Sequence, residues 1–168
     1  MIVQGVRSFP EVLAAVLAFD LSDVKKAYAK RHRLTVEVVE AHERELKRYL
    51  VLCIAYPGKC LGMFSNMDNL WHEFICHTPK YEAFCYGIAG RYLHHIPTSS
   101  DAVQKIADDG PSPRQQTIEA YEKHFGLMDP NVWHMANPDN CSNGDCCSIC
   151  TSDKKYMPSY PTPIEAVF

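Results

Sequence analysis

DNLWHEFICHTPKYEAFCYGIAGRYLHHIP, residues 68–97, decides how the chain is read. Leu70, Trp71 and Phe74, with Met67 just before them, recur at three-to-four spacing and predict a helix from about Met67 to His77. Thr78-Pro79 then offers a hydroxyl cap followed by a proline in the first turn, where no amide hydrogen is needed. A second helix follows, carrying Tyr81, Phe84, Cys85, Ile88 and Tyr92. So short a connection makes the pair an antiparallel or angled hairpin, and the end of the second helix returns toward the start of the first.

That geometry has a chemical consequence. Asp68 and His72 are four residues apart and share a helix face, with Cys76 one further step along it. His94 and His95 follow the second helix. Asp68, His72 and one of His94 or His95 can therefore converge. Imidazole nitrogens with one carboxylate suit zinc or another divalent transition metal, and the aspartate can instead orient a ligand histidine. Two other roles fit the same residues: a carboxylate–imidazole tie between helices, and general acid–base catalysis. His77, in the last turn, reads as a surface residue.

Helical patterning continues in both directions. Val12, Val16 and Phe19 form a short apolar stripe; Ser22 can cap a helix reaching about His32. Thr35 can cap the next, with Glu37 in its first turn favouring the helix dipole. That helix carries Val39, Leu46, Tyr49, Leu50 and Cys53 and stops at Pro57-Gly58. Residues 96–113 read as a loop with one helical turn near Ala102 to Ala107, and a last helix runs from about Pro113 to Phe125, ending at Gly126. From Asn137 cysteine, proline, serine and asparagine dominate. No strand pair stands out. The expected fold is all-α: a compact bundle of about six helices over residues 1–136, then an irregular Cys/Pro-rich tail, 137–168.

The totals agree. With 168 residues and 46% hydrophobic content the chain can bury a core. A net charge of −3 gives no global attraction to nucleic acid or membrane, and no apolar run approaches a membrane span. A cytoplasmic protein is expected, without a signal peptide, since Arg7 and Pro10 interrupt the apolar N-terminal stretch. Lys25, Lys26, Lys30, Arg31, His32 and Arg33 ahead of a capped helix loosely suggest a helix-turn-helix. The helix that follows carries Glu37, Glu40, Glu43 and Glu45, a poor surface for phosphates, so a solvated face is the better account.

Eight cysteines divide into two groups. Cys53, Cys60, Cys76 and Cys85 lie in apolar surroundings and read as inert core thiols. Cys141, Cys146, Cys147 and Cys150 lie in the tail, where the C-x-x-C pair Cys147 and Cys150 suits half of a metal site and His134 is near enough in sequence to add a ligand. Redox chemistry, or no specific role, fits them as well. The terminal YMPSYPTPIEAVF, with Tyr156, Tyr160 and Phe168, can dock on a protein partner as an extended peptide.

One further pattern crosses the chain. Asp68, Leu70, Trp71 and His72, then Thr78, Tyr81, Cys85, Gly90, His94, His95 and Pro97, then Tyr121, Phe125, Gly126 and Trp133 recur in order. Over residues 45–135 this resembles the glycine-rich domain-containing proteins of bacteria and plants. The resemblance implies a helical domain and no established reaction. Many members carry another histidine where this chain has Phe74, which removes a ligand role there. The functional expectation is a small helical binding or accessory protein whose His/Asp cluster can hold a divalent metal. The alternatives are a tail-mediated interaction module with a structural cluster, and a metal-dependent enzyme of unknown substrate.

Overall fold

A computed structural model describes residues 8–97, 111–133 and 147–151. Six α-helices lie within them: α1 (Phe9–Ala18), α2 (Ser22–His32), α3 (Val36–Ala55), α4 (Asp68–Cys76), α5 (Thr78–Phe84) and α6 (Pro113–Phe125). Among the described residues, no helix is long and apolar enough to cross a membrane.

α3 is the axis of the bundle and packs against α1, α2, α4 and α6. Its second half, Tyr49 through Ile54, is buried all round, as a central helix requires. Ser8 opens α1, its backbone amide donating to Glu11 at 2.7 Å. Ser112 caps α6, its hydroxyl accepting from Gln115 N at 3.2 Å. Arg33 ends α2 in the left-handed region, at φ 54°.

The all-α reading holds for the body, and a small sheet is added to it. β1 (Leu61–Phe64), β2 (His94–Pro97) and β3 (Cys147–Thr151) form three antiparallel-paired strands in the order β1-β3-β2. The tail is thus not irregular throughout: five of its residues supply the middle strand. Gly62 sits where α6 crosses the sheet. A β-carbon there would meet Arg114 N at 3.0 Å and the Pro113 carbonyl carbon at 3.1 Å, so a larger residue would have to push the start of the helix back slightly. Thr117 Oγ1 donates to Gly62 O at 2.9 Å across the contact.

The helix after Thr78-Pro79 is shorter than its apolar spacing suggests. α5 gives way to a π-helical turn, Cys85–Ala89, and Gly90 ends it at φ 69°. Tyr92 is therefore outside the helix. Two burial expectations also change. Cys76 is exposed, whereas Cys53, Cys60 and Cys85 are buried as expected. Glu45 is fully buried instead of standing on a solvated face. Cys141, Cys146, His134, Tyr156, Tyr160 and Phe168, and the turn expected near Ala102, lie outside the described residues.

Candidate metal centre

The start of α4 is fixed from below. Ser65 Oγ donates to Val132 O at 2.6 Å and accepts from Met67 N at 3.2 Å. Asp68 is then the first residue of the helix, where the amide dipole favours a carboxylate. One turn later His72 stands above it, His72 Nδ1 lying 3.5 Å from Asp68 Oδ2.

The third member arrives on β2, and the α4–α5 hairpin places it. Tyr81 of α5 donates its hydroxyl proton to Leu93 O at 2.6 Å and accepts from Trp71 Nε1 of α4 at 3.3 Å. This pins the chain just before β2. His95 then lies against the Trp71 ring, centroids 4.4 Å apart, with Nε2 at 3.0 Å from Asp68 Oδ1. The His72 and His95 rings are 4.3 Å apart. Each of Asp68, His72 and His95 offers one ligand atom, and the three atoms lie within 4.8 Å of one another.

Zinc–nitrogen and zinc–oxygen bonds of about 2.0–2.1 Å set donor–donor separations of roughly 3.3 Å around a tetrahedron. The two carboxylate–imidazole separations, 3.0 Å from His95 to Oδ1 and 3.5 Å from His72 to Oδ2, are of that order. Small shifts of side chain would bring all three donors onto one ion. The side chains of Asp68 and His95 are 6% and 8% exposed, while that of His72 is 53% exposed, so the cluster has a buried floor and an open rim. Burial of its inner edge holds His72 below the ordinary 6.5; Asp68 pulls the other way and His95 adds to the lowering. Above that range its imidazole is neutral and offers a lone pair.

Of the four helical residues singled out by sequence, Asp68, His72 and His95 come together and His94 does not. The reason is the strand. Successive side chains of a strand project to opposite faces, so only one of two adjacent histidines can turn toward α4. His94 lies against Tyr92 instead, ring centroids 4.9 Å apart, and burial pushes its imidazole down. His77 is half-buried between Glu73, at 3.6 Å, and Asp23, at 3.7 Å, and stands outside the cluster. Of the tail cysteines, Cys147 and Cys150 belong to β3, opposite Phe64 and His95 respectively.

A second polar centre escaped sequence reasoning. Glu45 accepts from Trp133 Nε1 at 3.0 Å, from Arg48 Nη1 at 3.0 Å, from Arg44 Nε at 3.1 Å and from the Tyr121 hydroxyl. Burial, and then the carboxylate partner, push the Tyr121 phenol up to about 12. The one sequence signal was position: Glu45 adjoins Leu46 and Tyr49 on the apolar side of α3.

No curated protein and no solved structure matches the chain. A family model described as UCP032817-like matches residues 10–118, from α1 into the first turns of α6. Nothing in that finding points to a glycine-rich domain. The order of residues from Asp68 to Trp133 that resembled those proteins is overturned as a guide to family, and the match reaches α1 and α2, which the resemblance left out. The chain belongs to the UCP032817-like family.

Proposed function

We propose that this is a metal-binding helical protein in which Asp68, His72 and His95 hold one divalent transition-metal ion. The observation that carries the reading is the convergence of three ligand-type atoms within 4.8 Å, from two elements far apart in sequence. The donor chemistry supports zinc first: two imidazoles and a carboxylate are a borderline ligand set, and the same set serves non-haem iron. Binding would replace the proton that His95 Nε2 shares with Asp68, so metal uptake would release a proton there. The reading makes the protein a binding or accessory module. A rival role for the residues is a purely structural tie, favoured by the 3.0 Å hydrogen bond and by the seat of His95 on Trp71.

Elemental analysis decides between them. Full-length protein purified without chelator or nickel should carry a stoichiometric divalent metal, and chelation should remove it reversibly. Asp68→Asn, His72→Ala and His95→Ala should each weaken binding by at least about tenfold to a hundredfold, the loss that even outer-shell substitutions produce. A folded wild-type chain that takes up no zinc, iron, cobalt or manganese leaves the structural tie as the role of the cluster.

A further inference from the structure

The three donors meet solvent unequally, and the inequality bears on what else the site can hold. The side chains of Asp68 and His95 are 6% and 8% exposed, and the Trp71 ring backs His95 with centroids 4.4 Å apart. The side chain of His72 is 53% exposed. An ion held by all three is walled by protein on the Asp68 and His95 side and reaches water on the His72 side. Among the described residues, no fourth ligand-type atom joins the group. Cys76, one turn beyond His72 on the same helix face, is exposed and is not a member. Zinc in proteins is almost always four-coordinate, so three protein donors leave a position to fill. Structural sites fill it with another side chain, and catalytic sites with water or an external ligand.

Charge sets the class of that ligand. Imidazoles bind a metal as neutral groups and a carboxylate binds as an anion. A divalent ion with one carboxylate and two imidazoles therefore keeps one net positive charge. Asp68 is also the first residue of α4, so the positive end of that helix lies at the same place. Beside buried walls this charge is screened less than it would be in open water. A second carboxylate or a thiolate in the shell would cancel it from within. A monoanion arriving from solvent cancels it from without.

We propose that the metal held by Asp68, His72 and His95 keeps one coordination position open on the His72 side and binds a monoanionic ligand there, such as a carboxylate; the inference rests on the metal reading above. The ligand displaces a metal-bound water, one lone pair for another, and nothing is oxidised or reduced. The site is then a receptor for an anionic group and not a closed structural clamp.

Cobalt(II) bound to the full-length chain, then titrated with azide, tests this. Azide should shift the visible cobalt bands along a saturable curve at one azide per cobalt, with the metal still bound. Acetate should shift them likewise, and neutral acetamide at the same concentration should not. His72→Ala, whose lost side chain is half exposed, should stay folded and need at least about tenfold more cobalt to give the bands. X-ray absorption of the wild-type zinc form is independent of any variant: light neighbours only without added anion, and one of them replaced by bromine in bromide. Cobalt bands that azide and acetate leave unchanged, or a sulfur neighbour on zinc, reveal a closed shell and overturn the proposal while the three-residue metal reading stands. An equal response to acetamide overturns the monoanion assignment. Bands that survive His72→Ala at the wild-type cobalt concentration place the ion elsewhere and overturn both readings, as does a wild-type chain that binds neither cobalt nor zinc.

Discussion

Glu45, in the middle of α3, is fully buried, and Asp68, at the start of α4, is 4% exposed. The two carboxylates differ in what surrounds them. Glu45 receives hydrogen bonds from an indole, two guanidinium groups and a phenol. The indole and the guanidinium groups are donors only, so they can stabilise an anion and can do nothing for a cation. Asp68 faces two imidazoles, which donate when protonated and offer a lone pair when not. A fixed ring of donors makes a structural post. A carboxylate ringed by groups that can exchange a proton for a metal has the chemistry of a candidate binding site, the role proposed for Asp68. Burial of an acid alone does not distinguish them; the chemistry of its partners does.

Glu45→Ala should produce the largest effect. It leaves the buried Trp133 indole and Tyr121 hydroxyl without their acceptor, and each buried donor left unsatisfied costs about 1–3 kcal/mol, while the two arginines, part exposed, can turn to water. Urea unfolding reads the loss, and metal uptake by the folded fraction should be unchanged. Smaller is an alkaline effect on the same side of the comparison. Tyr121 and Tyr28 are both pushed up to about 12 from an ordinary 10.0, each chiefly by burial. The unfolded chain therefore loses these protons first. Stability is complete below about 10 and falls as pH rises toward about 12, and the fall should shrink in Tyr121→Phe. Smallest is His72→Ala without metal. The side chain is 53% exposed, so stability should change by no more than about 0.5 kcal/mol while metal affinity collapses. A large loss of stability in metal-free His72→Ala would put His72 in the same class as the partners of Glu45.

The helices were legible because their apolar residues recur at helical spacing and their ends carry recognisable punctuation. Pro57-Gly58 does lie just beyond α3, Thr78-Pro79 does open α5, and Gly126 does follow α6. Asp68 and His72 were legible as a pair because four residues make one turn. The strands were not. Leu61–Phe64 is buried at every position and shows no alternation, so a four-residue apolar run carries no period to detect. Without β2, nothing in HHIP chooses between His94 and His95; only the alternation of a strand makes that choice. Glu45 was hidden by its neighbours. Glu37 and Glu40 of the same helix are exposed, and an acidic run gives no sign that one member has turned inward among residues more than seventy positions away.

The placement of β3 between β1 and β2 also bears on how the chain reaches its final state. Neither earlier strand has its sheet neighbour until a segment far downstream is inserted between them. Pairings that distant close long loops and come late, because chain entropy is lost before the contacts form. Until then β1 and β2 present unpaired strand edges, the surfaces through which partly folded chains adhere to one another. Refolding should therefore show an early helical phase and a slower one that completes the sheet, with aggregation confined to the interval between them.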